Sequence, residues 1–182
     1  MNILVHKSNS CFKEKILENG LIWKECEMNL SRDIQSTDDI YTEDINYILN
    51  KYKPHNKYPS NMIDREKCIF FTLKEDHIPT DKWRNLEIEV NSSELIAEKL
   101  FVAPLSLLDL ITSGLVNKYP TDVIKGIAEH YWNNCFPLSD YLANKEIIKS
   151  TLKKVWKVWD IEYIPEVLYM DTVPGKLLTI VK

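Results

Sequence analysis

The sequence holds no Cys-x-x-Cys pair: its four cysteines, Cys11, Cys26, Cys68 and Cys135, are widely separated. The histidines add no metal-ligand spacing to them, so no metal centre is expected. Isolated thiols of this kind read as buried free cysteines in a reducing compartment. No apolar run approaches a membrane span, and no secretory signal is read. The expectation is a cytoplasmic protein with no membrane partner. In that setting Asn29-Leu30-Ser31 and Asn91-Ser92-Ser93, which fit the glycosylation pattern, mean little. An excess of positive charge is missing too. Lys and Arg number 23 against 27 Asp and Glu, a net charge of -4. That balance excludes a broad basic surface for nonspecific nucleic-acid binding and leaves room only for a local patch. Internal repeats and low-complexity tracts are absent. So are G-x-G-x-x-G, the P-loop, H-E-x-x-H and G-x-S-x-G, which removes the common nucleotide, metalloprotease and hydrolase assignments.

What is present is enough for a core. Of the 182 residues, 45% are hydrophobic, which suits one domain over 1–182. Ile3-Leu4-Val5 predicts a first strand over 2–6, ended by His6. Ser8, Asn9 and Ser10 offer helix caps, Phe12, Ile16 and Leu17 a packed face, and Asn19-Gly20 a stop. Leu21-Ile22-Trp23 reads as a second short strand. Residues 27–40 read as loop, with Asp38-Asp39 capping a helix from Ile40 to Tyr52, and 53–61 as a turn-rich loop holding His55. Cys68 to Leu73 is the clearest strand, apolar enough for burial on both faces. Residues 74–84 read as another loop, with Ile78-Pro79 inside it. Leu86 to Val90 alternates like a strand with one wet face. Asn91 and Glu94 have capping-box spacing, which predicts a helix over Ser92–Leu100, and Phe101-Val102-Ala103 another brief strand. From about 104 to 160 the pattern is helical. It includes a helix capped by Thr121 that buries Val123, Ile124, Ile127, Ala128, Tyr131, Trp132 and Cys135. A longer helix over 144–159 turns Ile147, Ile148, Leu152, Val155, Trp156 and Trp159 inward and Lys149, Lys153, Lys154 and Lys157 outward. Val167 to Met170 and the segment ending at Val181 read as closing strands. Short strands with helices inserted make the fold class α+β.

Three polar residues stand at strand ends: His6, Arg65 and Glu166. Such a set suits chemistry at an anomeric carbon. A carboxylate stabilises the sugar cation formed as an N-glycosidic bond breaks. A neutral histidine orients a sugar hydroxyl, and a guanidinium fork holds phosphate. Each residue also has a plainer reading: a histidine that ends a strand, an arginine on a solvated surface, a glutamate exposed at a sheet edge.

The opening LVHKSNSCFKEKILENGLI resembles the start of the ADP-ribosyltransferase fold, nearest in flavour to DarT-like DNA-modifying toxins and RNA 2'-phosphotransferases. The matching positions are His6, Ser8, Asn9, Ile16, Leu17, Gly20 and Leu21. DREKCIFFTL is similar to the arginine-plus-strand element, and PEVLYMDTVPGKLLTIV to the glutamate strand and its closing turn. The resemblance implies a split, bent β core with a helical segment inserted at about 104–160, and NAD as co-substrate. It implies Glu166 and His6 as catalytic residues and His6, Ser8, Asn9 and Arg65 as cofactor-binding residues. The acceptor would be a macromolecule: DNA, RNA or protein. The alternatives are an RNA 2'-phosphotransferase-like enzyme and a catalytically inactive α+β interaction module.

Overall fold

In the computed structural model, which describes residues 2–22, 39–76 and 84–181 (with side chains from residue 45 in the second stretch), the chain forms two compact units. Trp23, Cys26, Asn29, most of the 27–40 loop with Asp38, and Ile78-Pro79 lie outside the described residues.

The first unit comprises Met1–Gln35, Asp64–Leu100 and Val167–Lys182. Its strands are β1 (Ile3–Ser8), β2 (Ile69–Leu73), β3 (Leu86–Asn91), most of β6 (Pro165–Tyr169) and β7 (Thr179–Ile180). They lie in the order β6-β2-β1-β3-β7. All four pairings are antiparallel, with Val5 opposite Thr72, His6 opposite Ile88 and Phe71 opposite Val167. In β3, Leu86, Ile88 and Val90 are buried and the residues between them are not, the period-2 pattern of a strand with one wet face. β2 alternates in the same way: Phe70 and Thr72 stay partly exposed, so the expectation of burial on both faces fails. The expected helix over Ser92–Leu100 is instead two 3-10 turns, Ser92–Glu94 and Ala97–Lys99. The Asn91 side chain accepts from the Ser93 N–H, which closes a turn. Leu95 and Ile96 are then extended, and a segment this short cannot repay helix nucleation.

After β1, the Asn9 side chain caps a 3-10 turn by accepting from the Cys11 N–H, and α1 (Lys13–Asn19) follows. Gly20 stops it. Its backbone, at φ 82° and ψ -171°, lies where L side chains do not fit, while its N–H still donates to the Ile16 carbonyl at 2.8 Å. Leu21 then makes an isolated bridge to Val173, through N–H···O bonds of 2.9 and 3.0 Å, rather than a full strand. Gly175 belongs to the same close approach, since a Cβ there would fall 2.3 Å from the Leu17 carbonyl. The helix end and the 173–175 turn are held backbone to backbone.

The second unit comprises Ser36–Ile63 and Phe101–Glu166. It holds α2 (Asp39–Lys51), α3 (Ser106–Val116), α4 (Thr121–Asn133), α5 (Leu138–Val155) and the pair of β4 (Leu100–Pro104) with β5 (Phe136–Pro137). α4 packs on α2 and α3, and its Ile124, Ile127, Ala128, Tyr131 and Trp132 are all buried. Trp132 is fully enclosed and its indole N–H donates to the Leu49 carbonyl at 2.7 Å, so no donor is orphaned there. Thr121 does not cap α4 with its side chain but begins it, after Pro120. Val123 is exposed, against expectation.

α5 starts directly after Pro137, is broken at Asn144 and ends in a 3-10 turn over Trp156–Trp159. That break resets the helix phase. Leu138, Tyr141, Leu152 and Trp156 are buried, whereas Ile147 and Val155, expected inward, are exposed. Lys153, Lys154 and Lys157 are exposed as expected, and Lys153 pairs with Glu162 at 2.7 Å.

Candidate functional site

His6 lies within β1, which runs on to Ser8 rather than ending at His6, and is half-buried. Its Nδ1 lies 2.8 Å from the Phe70 carbonyl oxygen. A carbonyl only accepts, so Nδ1 carries the proton and Nε2 keeps the lone pair. The ring meets Phe71 edge-on at 5.8 Å. Burial pushes the imidazole below its ordinary value of 6.5; the Phe70 bond works the other way, and the Arg84 guanidinium adds to the lowering. A neutral ring with a defined tautomer results, the form that accepts a hydrogen bond from a sugar hydroxyl.

Ser8 and Asn9 follow on the same chain segment. Ser8 is buried opposite Leu86, and the Asn9 side-chain oxygen is engaged in its cap. Arg84 stands just before β3, exposed, near enough to His6 to bias its charge. Beside it, Asn85 accepts from the Ser10 N–H at 2.8 Å, tying the start of β3 to the turn after β1. Arg84 carries no sequence signal of its own; only the β1–β3 pairing brings it near His6.

Arg65 occupies a 3-10 turn, Arg65–Lys67, that Asp64 caps by accepting from the Glu66 N–H. It is 5% exposed, with its guanidinium centre 4.8 Å from the Phe70 ring centroid. The solvated-surface reading of Arg65 therefore fails: the cation lies on an aromatic face. Phe70 is the common neighbour, its carbonyl taking His6 and its ring taking Arg65.

Glu166 is the last residue of the second unit and is 4% exposed, so the reading of it as an exposed edge residue fails as well. The Tyr131 hydroxyl donates to its Oε1 at 3.1 Å. Tyr131 belongs to α4 and is fully enclosed. Tyr163, stacked with Tyr141 and Trp156 at 5.8 Å each, donates to the Asn134 carbonyl. Burial raises the Tyr163 phenol well above its ordinary value, and nearby Cys135, Tyr141 and Glu166 push the same way. Tyr163 therefore remains a neutral phenol at physiological pH. Periodicity puts Tyr131 on the buried face of its helix and gives no sign of a polar task.

Within the first unit the structure thus gathers His6, Ser8, Asn9 and Arg84 at one end of β1 and β3, with Arg65 tied in through Phe70. Glu166 is held in the second unit by Tyr131. Among the described residues no group of three or more His, Cys, Asp or Glu is placed to hold a metal ion. Of the cysteines described, Cys68 and Cys135 are buried free thiols and Cys11 is exposed. Among the described residues no helix is long and apolar enough to cross a membrane. Comparison of the chain with protein-family models, with curated proteins and with solved structures gives no match.

Proposed function

We propose that the chain is an NAD-dependent ADP-ribosyltransferase of the α+β, split-core kind, cleaving the nicotinamide N-glycosidic bond and passing ADP-ribose to a macromolecular acceptor (DNA, RNA or protein). The observation that carries this reading is Glu166, a carboxylate enclosed by protein and held by a hydroxyl donor on a rigid helix. An acidic side chain removed from water usually has a specific task, since its burial is costly. NAD, when bound, supplies a nicotinamide leaving group whose departure leaves a cationic sugar. Glu166 stabilises that charge as it develops, in a setting where water does not screen it. His6 accepts a ribose hydroxyl at Nε2, which the Nδ1–H···O bond to Phe70 leaves as the lone-pair nitrogen. Exposed Arg84 fits a pyrophosphate, and buried Arg65 lies on the ring of Phe70, whose carbonyl orients His6.

The test is nicotinamide release by purified protein. Glu166→Gln keeps the shape of the side chain and removes its charge. NAD affinity should change little, because the sugar carries no full charge in the ground state. Turnover should fall by about two orders of magnitude, equivalent to about 2.7 kcal/mol of transition-state stabilisation. Near-normal release by the variant would refute the mechanism. Labelled NAD offered with DNA, RNA and protein identifies the acceptor.

A further inference from the structure

We propose that Tyr131 is a positioning residue for Glu166, an inference that rests on the ADP-ribosyl-transfer reading and extends it to a residue outside the sequence resemblance. The Tyr131 hydroxyl stands 3.1 Å from Glu166 Oε1, and both side chains are buried. Tyr131 cannot readily move. The neighbouring Trp132 is pinned to the Leu49 carbonyl and meets the Tyr131 ring edge-on at 5.1 Å. The Cys135 thiol donates to the Tyr131 carbonyl at 3.3 Å, one helical turn on. The donor is therefore fixed by packing, while a glutamate side chain has three rotatable torsions to be set. A bond to one carboxylate oxygen selects among those rotamers.

The identity of the donor matters as much as its position. A lysine or arginine at this point would neutralise the carboxylate. A phenol orients the carboxylate without adding positive charge of its own. Tyr131 touches neither the sugar nor the leaving group in this scheme; it acts only through Glu166.

Tyr131→Phe removes one oxygen atom and keeps the ring. Four proteins form a double-mutant cycle: wild type, Tyr131→Phe, Glu166→Ala and the double variant. Each is assayed for nicotinamide release at saturating NAD, normalised to folded protein by near-ultraviolet circular dichroism, and for NAD affinity by calorimetry. Tyr131→Phe should lower kcat about tenfold, the scale of one lost hydrogen bond, and leave the NAD dissociation constant within about twofold. In the Glu166→Ala background the same substitution should have no further effect, because there is no carboxylate left to position. A crystal structure of Tyr131→Phe should show the Glu166 carboxylate turned from its wild-type orientation.

Equal loss in both backgrounds would overturn the proposal, since a purely structural tyrosine damages every background alike. Wild-type kcat in Tyr131→Phe, alongside an inactive Glu166→Ala, would also overturn it and leave the transferase reading intact. Wild-type release no faster than that of Glu166→Ala would overturn both. Where the phenylalanine variant folds poorly, Tyr131→3-fluorotyrosine keeps the hydroxyl and should keep kcat within about twofold. A loss of about tenfold in that folded protein would overturn the proposal, because the hydroxyl would not be what counts.

Discussion

Gly20→Ala adds one methyl group and removes no side-chain contact, yet it should be among the most destabilising single changes in the first unit. Two effects combine. The backbone at φ 82° and ψ -171° lies in a region open essentially to glycine alone, and holding an alanine there costs about 1–3 kcal/mol. The new Cβ would also lie 2.1 Å from the Val173 carbonyl oxygen and 3.0 Å from the Gly175 nitrogen. Both neighbours are backbone, so no side chain can swing aside; the chain itself must move by about 1 Å to reach an ordinary contact. That movement breaks into the bridge in which Leu21 and Val173 exchange N–H···O bonds of 2.9 and 3.0 Å. Leu21 is 1% exposed and Val173 fully buried, so weakened bonds are not replaced by water. Each such bond is worth about 1 kcal/mol net, and more when a buried group is left unpaired. The lowered entropy of the unfolded chain returns only about 0.4–1 kcal/mol. The expected loss is therefore about 2–5 kcal/mol, a large fraction of the 5–15 kcal/mol that keeps a typical domain folded. Urea denaturation followed by far-ultraviolet circular dichroism measures it, with the midpoint and slope compared to wild type. A loss below about 1 kcal/mol would refute the reasoning, because it would mean that the 20–21 hook relaxes freely away from Val173.

Gly126 makes the control. It lies within α4 with nothing inside 4 Å of an added Cβ, so Gly126→Ala should stabilise by about 0.5–1 kcal/mol in the same denaturation experiment. A loss there would show that helix propensity is not what limits α4. His6 gives a pH dependence whose sign follows from the lowered imidazole pKa. Below 6.5 the unfolded chain takes up a proton more readily than the folded protein does, so stability is full above 6.5 and falls as the pH drops from there toward the depressed folded value. His6→Gln should flatten that slope, and nuclear magnetic resonance titration of the His6 ring should give a midpoint below 6.5; a midpoint at or above it would refute the burial argument.

Local chemistry made some of this legible in the sequence. Asn9 caps the turn after β1, Gly20 stops α1, β3 alternates, and α4 buries Ile124, Ile127, Ala128, Tyr131 and Trp132. Each of these is decided within a few residues, by a side-chain oxygen near an N–H, by the freedom of glycine, or by periodicity. His6 and Glu166 could be singled out only together, as polar residues at the ends of short apolar strands, since neither stands out alone. The failures have the same character in reverse. The expected helix over 144–159 turns Ile147 and Val155 inward, whereas α5 starts at Leu138, is broken at Asn144, and leaves both exposed.

Tertiary structure alone decided the rest. His6 is tied to a carbonyl 64 residues away, and Glu166 to a hydroxyl 35 residues away. The buried state of Arg65 and Glu166, the tautomer of His6, the nearness of Arg84 and the polar task of Tyr131 all depend on which distant segments pack together. Neither unit is a continuous stretch: one is assembled from three pieces of chain and the other from two. Periodicity reports which face of an element avoids water, but not which other element covers it. A sequence can therefore name the groups capable of chemistry, while their charge state, orientation and partners are set by burial and hydrogen bonding between segments remote in the chain.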